Sequence, residues 1–445
     1  MNTFDRFFRE FRTELPYALY QTQEDLLEPW RGVARLGSKY MKSWKDFGFD
    51  DSLLRLTAGW LEVLGSTRLT HHRPAFEIKE VISEGRTVAV HEENVVSTPF
   101  ATLVHFAKPD LTVPQPRVLV VAPMSGHFAT LLRQTVKTLL ADHDVFITDW
   151  HSARHIPLEA GPFGMDHYAR HVIDFITELG PGSHVVAVCQ PCVATLTAVA
   201  RMSEDRDPCT PISMTLMAGP IDTQINPTGV NELAKSKPLA WFREKLITRV
   251  PARHAGAFRE VYPGFTQIAA FVSMNSARHV GALNRQMVSR MRQDTETAEQ
   301  ISHFYEEYFA AADLPAEFYL ETVDLVFQRH ALPRGELMFE GRLVRPETIV
   351  RTLLLTVEGQ RDDICAVGQT MAAQDLCSGL KPFLRHHHVQ PGVGHYGVFS
   401  GHRWDEEIYP IVRRCIFQAE QEIGARLPAL RQGLQSGADP AHQPV

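Results

Sequence analysis

Between residues 117 and 219, short apolar runs alternate with longer amphipathic stretches. Bounded apolar runs predict buried strands, and apolar residues spaced three and four apart predict helices. The predicted strands are residues 118–123, 144–150, 184–189 and 212–219, and the predicted helices between them are residues 129–140, 167–180 and 192–202. Since each helix can carry the chain back across a sheet, this alternation predicts βαβ units and a mostly parallel sheet with helices on both faces.

Two segments of different character flank this alternation. Residues 75–106 are rich in β-branched and aromatic residues around a turn at Glu84-Gly85, which predicts antiparallel strands. Residues 222–348 have a mostly helical, aromatic-rich pattern, and the strand pattern resumes at residues 352–359. A helical block between two strands of one sheet predicts an inserted cap.

These patterns divide the chain into an α/β core with additions. We expect a helical N-terminal extension, a first part of the core, a helical cap or lid, a second part of the core, and a tail with the composition of a disordered segment. The respective ranges are residues 1–65, 66–221, 222–348, 349–430 and 431–445. The predicted fold class is therefore α/β.

Composition and charge exclude several classes of function. The chain has 445 residues, 44% of them hydrophobic and 22% charged, as is ordinary for globular proteins. Its formal net charge is −7, so there is no basic excess to suggest a nucleic-acid partner. The charged N-terminus predicts no signal peptide, and the absence of an apolar run of about 18 residues predicts no transmembrane segment. The six cysteines are scattered, which predicts free thiols.

Cys189 is the first candidate for chemistry, because it lies where a predicted strand ends and a helix begins. Esterases of the G-x-S-x-G type expose their nucleophile on such a turn, with small residues on either side. Here the segment is Ala187-Val188-Cys189-Gln190-Pro191, so cysteine replaces serine and proline replaces the second glycine. Proline is tolerated in the first turn of a helix, since the N–H that it lacks would have no partner there. We expect Cys189 to be a nucleophile.

Two other interpretations of Cys189 stay open at this point. A cysteine at a strand end is often a buried small hydrophobic residue. Cys189 and Cys192 also form a C-x-x-C pair at a strand-to-helix junction, which is the arrangement of thioredoxin-like redox proteins. A long βαβ run precedes the pair, however, whereas a thioredoxin domain carries its motif near its start.

A hydrolase of this type needs an acid and then a histidine later in the chain. Asp362 follows the strand at residues 352–359 and is the preferred acid, with Asp363 and Asp222 as alternatives. His395 lies in a glycine-rich loop after the predicted last strand and is the preferred base. The oxyanion hole should combine the backbone N–H of Gln190 with one from Met124 or Ser125, since these two loops flank the site.

Other candidate sites are less specific. His386, His387 and His388 resemble a metal cluster, but consecutive residues of a strand point to opposite faces, so we predict no metal and no other cofactor. Aromatic residues of the predicted lid are candidates for binding an apolar chain, although helical aromatics more often pack inward. The substrate-binding candidates are Trp241, Phe242, Tyr262 and Phe265.

Several long segments resemble, in order, the intracellular poly(3-hydroxybutyrate) depolymerases. They are VVAPMSGHFATLLRQTVKTLL, VFITDW, VAVCQP, AGPIDTQINPTGVN, VYPGFTQIAAFVSMN, TVEGQRDDICAVGQT and GHYGVFSGHRWDEEIYP. The resemblance spans roughly residues 70–425. It implies an α/β-hydrolase fold with a Cys-Asp-His triad, which carried over residue by residue is Cys189, Asp362 and His395.

The resemblance also implies what the enzyme acts on and where. A poly(3-hydroxybutyrate) or short-chain polyhydroxyalkanoate depolymerase is a carboxylic ester hydrolase in the cytoplasm, acting on the granule surface or on oligomers. The acyl acceptor, water or coenzyme A, is left open, as is a homo-oligomer. The alternatives are a polyhydroxyalkanoate synthase-like acyltransferase, whose elbow typically has glycine where Pro191 stands, and a granule-associated binding protein without catalysis.

The N-terminal segment suggests how the chain could meet a granule. Phe4, Phe7, Phe8 and Phe11 fall at helical spacing, so a helix would place all four rings on one side. This stripe either adsorbs to an apolar polymer surface or docks on the core or on a partner subunit.

Overall fold

The structure is a computed structural model that describes Tyr17 and residues 70–274 and 306–426. The predicted phenylalanine stripe at Phe4, Phe7, Phe8 and Phe11 lies outside the described residues. So do the predicted tail, residues 431–445, and part of the predicted cap.

The strands of the sheet centre are mostly apolar, because both of their faces are covered. The strands 184–188 and 213–217 are buried at every position. In chain order the strands are β1 Glu80–Ser83, β2 Arg86–Ala89, β3 His91–Ser97, β4 Ala101–Ala107, β5 Arg117–Val121, β6 Asp144–Trp150, β7 His184–Val188, β8 Ser213–Met217, β9 Thr248–Arg249, β10 Glu260–Tyr262, β11 Leu314–Pro315, β12 Met338–Phe339, β13 Arg342–Leu343, β14 Leu353–Gly359 and β15 Arg385–Gln390.

Helices connect these strands as the sequence pattern predicts. The α-helices are α1 Arg133–Leu139, α2 Met165–Leu179, α3 Cys192–Glu204, α4 Gly229–Ser236, α5 Leu239–Leu246, α6 Gly264–Met274, α7 Ala316–Glu321, α8 Ala372–Leu376 and α9 Tyr409–Glu422. A 3₁₀ turn at Ala129–Leu132 precedes α1, and π-helical turns at Thr322–Gln328 and Trp404–Ile408 follow α7 and precede α9. Helix α2 packs on α3, and α9 packs on β8 and β14.

Among the described residues the main sheet has eight strands, in the order β3-β4-β6-β5-β7-β8-β14-β15. Every neighbouring pair from β6 to β15 is parallel, and β4 is antiparallel to both β3 and β6. This is the strand order of α/β-hydrolases, so the fold class predicted from the sequence is confirmed. Because these strands are parallel, the loops after β5, β7, β14 and β15 leave the sheet at the same edge.

The described parts of the predicted cap contain more than helices. Helices α4 to α7 are joined by a small antiparallel sheet in the order β11-β10-β9 and by the hairpin of β12 and β13. Residues 310 and 311, which the sequence places in a helical stretch, instead form β-bridges to Thr70 and His127. Strands of two or three residues are too short to show a hydrophobic period, which is why the sequence pattern misses them.

Candidate functional site

Cys189 lies on a strained turn between β7 and α3. Its φ angle is +68°, in the left-handed region that residues other than glycine seldom occupy. The Cys189 N–H donates to the Met217 carbonyl oxygen at 2.7 Å, which fixes the turn to the end of β8. A strained strand-to-helix turn is the geometry that exposes the nucleophile of α/β-hydrolases. Cys189 is half-buried, so part of its surface is accessible to solvent.

Pro191 fits this turn despite replacing the usual glycine. Its φ of −67° and ψ of −7° are helical, and its carbonyl oxygen accepts from the Thr195 N–H at 2.8 Å. A proline at this position forfeits no helical hydrogen bond, because the first N–H groups of a helix have no partner within it. The sequence departure at Pro191 is therefore compatible with the elbow.

His395 begins a 3₁₀ turn in the loop after β15, and Asp362 lies in the loop after β14. The His395 Nδ1 donates to the Asp362 Oδ2 at 2.8 Å, and both side chains are almost wholly buried. A side-chain hydrogen bond also links His395 to Cys189. The structure thus brings together the three residues that the sequence singles out as nucleophile, acid and base.

Opposing effects act on the imidazole of His395. Burial by itself lowers the pKa of His395, but the charge of Asp362, the Cys189 sulfur and the hydrogen bonds to both raise it well above its usual value. The imidazole therefore holds a proton more firmly than a free histidine does. This is the property needed by a group that takes a proton from a thiol.

The three acids considered from the sequence have different surroundings. The Oδ1 atom of Asp362 accepts the N–H groups of Ile364 and Cys365 at 2.9 and 2.8 Å, so its carboxylate is fixed in orientation. Asp363 is exposed. Asp222 binds within its own loop, where its Oδ1 accepts the N–H of residue 224 at 3.0 Å. Of these three acids, Asp362 is the one whose hydrogen bond to His395 the structure shows.

The residues predicted for the oxyanion hole lie next to one another. The Met124 N–H donates to the side-chain Oε1 of Gln190 at 3.4 Å. Met124 is buried, and Ser125 and Gln190 are half-buried. The loop after β5 and the turn at Cys189 are therefore within hydrogen-bonding distance. In this conformation, the Gln190 side chain binds one of the N–H groups that the sequence analysis predicts for the oxyanion hole.

Glu358 was not recognised from the sequence as part of the site. It is completely buried near the end of β14, and its carboxylate accepts the N–H groups of Gly368, Thr370 and Met371 at 2.7 to 2.9 Å. Glu358 thereby anchors the loop that carries Asp362. The available signal was an acidic residue at the end of an otherwise apolar strand, where an uncompensated charge would be costly.

Cys192 packs in the core beneath the elbow. Its thiol donates to the Ala187 carbonyl oxygen at 3.4 Å, and burial raises the pKa of Cys192 above its usual value. Cys189 and Cys192 are both free thiols. A resolving cysteine of a redox pair needs access and thiolate character, so these surroundings disfavour the thioredoxin-like interpretation.

The four aromatic candidates of the predicted lid all have ring partners. Trp241 packs on Phe242 at 5.2 Å between ring centroids, and Phe242 is buried. Tyr262 stacks on Tyr319 at 4.0 Å. Phe265 meets Tyr17 edge-on at 5.4 Å. Their role in substrate binding stays a prediction.

Metal-ligating side chains do not cluster in the described part of the chain. In residues 70–274 and 306–426, no group of three or more His, Cys, Asp or Glu side chains is arranged to hold a metal ion. On strand β15, His387 binds Thr356 at 2.9 Å and His388 binds Gln390 at 2.8 Å. None of the helices within the described part of the chain is long and apolar enough to cross a membrane.

Comparison with solved structures finds esterases and thioesterases at low identity. The thioesterase domain from the curacin biosynthetic pathway is 11% identical, with 74% of this chain and 99% of that chain covered at a TM-score of 0.40. Naproxen esterase from Bacillus subtilis is 13% identical, with 83% and 99% covered at a TM-score of 0.38. A thermophilic esterase from Thermogutta terrifontis is 14% identical, with 74% and 98% covered at a TM-score of 0.39. These likenesses are loose, and the fold assignment rests on the strand order.

Family comparison is more specific. No curated protein sequence matches this chain. Residues 218–420 match the family model described as "PHB de-polymerase C-terminus", and this region includes Asp362 and His395. Residues 218–420 are therefore similar to the C-terminal region of the PHB depolymerases.

Proposed function

We propose that this enzyme hydrolyses the ester bonds of poly(3-hydroxybutyrate) and related short-chain polyhydroxyalkanoates through a Cys189–His395–Asp362 triad. The observation that carries the proposal is the pair of hydrogen bonds made by His395. Its Nδ1 binds Asp362 at 2.8 Å, and a further hydrogen bond links the ring to Cys189 on the strained turn. A histidine held between a carboxylate and a nucleophile is the arrangement of acyl-transfer enzymes.

In the acylation step, His395 takes the proton of the Cys189 thiol, and the sulfur attacks the ester carbonyl carbon. Asp362 already occupies Nδ1, so Nε2 is the nitrogen that accepts this proton. The oxyanion that forms is bound by the backbone N–H of Gln190 and by one from Met124 or Ser125. The C–O bond then breaks, and His395 returns its proton to the departing alkoxide, which leaves an acyl-thioester on Cys189.

In the deacylation step, an acceptor attacks the thioester. With water as the acceptor, His395 removes a proton from it and the oxygen attacks the carbonyl carbon. The Cys189–acyl bond breaks, the free hydroxyacid leaves, and the sulfur regains its proton from His395. Asp362 keeps the imidazole in one tautomer during both steps.

The polyester substrate and the place of action rest on the family match and on the resemblance found in the sequence. A family match over residues 218–420 favours a polyester over a small soluble ester as the natural substrate. Such an enzyme would act in the cytoplasm at the granule surface. Incubating the protein with amorphous poly(3-hydroxybutyrate) granules, with and without coenzyme A, tests this assignment. Released hydroxyacids support hydrolysis, whereas acyl-CoA products or polymer growth from hydroxyacyl-CoA would contradict it.

The nucleophile is tested by Cys189→Ala, with Cys209→Ala as a matched control. Cys209 is also a half-buried free thiol, but it follows the opposite end of α3. We expect Cys189→Ala to abolish granule hydrolysis with the fold retained, and Cys209→Ala to keep it. More than a few per cent of residual activity in Cys189→Ala would place the nucleophile elsewhere.

The acid is tested by Asp362→Asn against Asp363→Asn and Asp222→Asn. Replacing the acid of a related triad lowers kcat by about 10⁴-fold, because the histidine then adopts the wrong tautomer. We expect a loss of that order for Asp362→Asn and changes of less than about tenfold for the two controls, since neither carboxylate reaches His395 in the structure. The opposite ranking would reassign the acid.

A further inference from the structure

The loop after β5 is held by a segment from within the predicted cap. We call residues 123–127 the oxyanion loop and residues 308–313 the cap-return segment. His127 pairs with Ala311 in an antiparallel bridge, and the Ala312 N–H donates to the Gly126 carbonyl oxygen at 2.9 Å. The Ala311 N–H in turn donates to the Thr70 carbonyl oxygen at 2.6 Å. The cap-return segment is therefore fixed between the oxyanion loop and residue 70.

The side chain of His127 adds a second connection between the same two segments. Its ring hydrogen-bonds to the backbone of Tyr308 in the cap-return segment and of Ser125 in the oxyanion loop. The side chain is buried, and burial lowers the pKa of His127 to about 4, so the ring is neutral near pH 7. The rings of His127 and Tyr308 also pack together at 5.1 Å. A neutral buried ring of this kind holds the two segments together and does not transfer protons.

Gly126 shows how closely the loop is enclosed. Its φ is +88°, and a side chain there would come within 3.0 Å of the Gln267 side chain, which lies on α6. The oxyanion loop is thus bounded by residues from two parts of the predicted cap as well as by the core. Its conformation depends on contacts made far along the chain.

We propose that His127 is a positioning residue that holds the oxyanion loop in its working geometry. Its hydrogen bond to the Ser125 backbone fixes the orientation of the peptide between Ser125 and Gly126, and its bond to Tyr308 ties that peptide to the cap-return segment. The N–H groups of Met124 and Ser125 can then point at the developing charge only while this connection is intact. This inference rests on the proposed function, since it assigns a role within the same ester cleavage.

The chain offers a matched control in His143. This histidine is also buried, its pKa is also lowered to about 4 by burial, and its Nδ1 lies 3.1 Å from the Leu139 carbonyl oxygen. It directly precedes β6, at the end of the sheet opposite to the loops that carry Cys189 and His395. Replacing His143 should therefore reproduce the cost of losing a buried imidazole without disturbing the oxyanion loop.

The test compares His127→Leu with His143→Leu on a small soluble ester. Losing one oxyanion donor lowers kcat by about 10² to 10³-fold. Because His127→Leu displaces the donor rather than removing it, we expect kcat to fall about 10- to 100-fold, with KM changed by less than about threefold. In His127→Leu, iodoacetamide should alkylate Cys189 at the wild-type rate, because His395 and Asp362 are unchanged. His143→Leu should keep its kcat within about threefold of the wild-type value.

Two results would overturn the proposal. One is a kcat for His127→Leu within about threefold of that for His143→Leu. The other is a loss of kcat accompanied by an equal loss of Cys189 alkylation, which would show that the whole site had collapsed. If His127→Leu does not accumulate as a folded protein, His127→Phe, which keeps a ring but has no donor, enters the same comparison. Full activity in Cys189→Ala would instead refute the proposed function, whatever His127 does.

Discussion

Gly219 lies just beyond β8, directly against the helix that follows Cys189. A Cβ atom at this position would lie 2.2 Å from the Cβ and 2.3 Å from the Sγ of Cys192, and 3.1 Å from the Cys189 carbonyl oxygen. Ordinary contacts between carbon atoms are about 3.5 to 4.0 Å. Gly219→Ala therefore requires the start of α3, or the end of β8, to move by more than about 1 Å.

This displacement should affect both stability and catalysis. Overpacking a well-filled core typically costs about 1 to 3 kcal/mol, and we expect the upper end because both partners are held by backbone. A misplacement of about 1 Å in a reacting group can lower the rate by about 10²-fold. We expect Gly219→Ala to unfold at lower urea concentration and to lose roughly that factor in kcat for a small soluble ester.

A double substitution separates the clash from other effects of the alanine. Cys192→Gly removes both the Cβ and the Sγ that the new methyl group meets, whereas Cys192→Ala leaves the Cβ in place. We expect Gly219→Ala with Cys192→Gly to recover most of the lost kcat, and Gly219→Ala with Cys192→Ala to recover little. Each cysteine substitution alone should keep its kcat while losing some stability. Normal activity in Gly219→Ala, or equal recovery by both double variants, would refute the packing argument.

Other contacts give predictions on stability and rate. Burial raises the pKa of Glu307 from 4.5 to about 7, so the folded protein binds a proton that the unfolded chain releases, and wild-type stability falls as pH rises through this window. As pH rises from 4.5 to 8, the free energy of unfolding of Glu307→Gln in urea should therefore increase by up to about 3 kcal/mol relative to wild type. A difference between the two proteins that does not change with pH would contradict this. Gln190→Ala should raise kcat/KM about two- to tenfold, because the freed Met124 N–H gains a hydrogen bond to the oxyanion that is worth about 0.5–1.5 kcal/mol. A decrease in kcat/KM would show that the Gln190 amide supports the loop. Tyr17→Phe should cost about 1–3 kcal/mol in urea unfolding, because it removes the 2.6 Å bond to the buried Asp313, and unchanged stability would mean that this contact is unimportant.

The sheet was the most predictable part of the molecule. Strand β6 coincides with its predicted bounds, and β5, β7, β8 and β14 differ from theirs by at most two residues at either end. Buried parallel strands are continuous apolar runs, and these stand out against the amphipathic helices that separate them. The order of Cys189, Asp362 and His395 could also be predicted, because each residue follows a strand that the sequence pattern indicates.

Contacts between distant segments could not be predicted. The choice among Asp362, Asp363 and Asp222 depends on the direction in which each loop points, and sequence spacing does not specify that direction. The connection between His127 and the cap-return segment joins residues about 180 positions apart, largely through backbone groups. Main-chain hydrogen bonds leave no side-chain signature, and the alanines at 310–312 indicate a helix rather than bridges.

The position of the cap within the sheet has a consequence for folding. Strands β8 and β14 are neighbours in space, but 135 residues of the chain separate Met217 from Leu353. Closing a loop of that length costs roughly 4 kcal/mol in chain entropy, and a ribosome needs about 7 to 27 seconds to synthesise it. During that interval β8 is an open edge, and the emerging chain contains Cys189 but neither Asp362 nor His395. A nascent chain of this architecture therefore lacks two members of the proposed triad and is exposed to edge-to-edge association until its last two strands have joined the sheet.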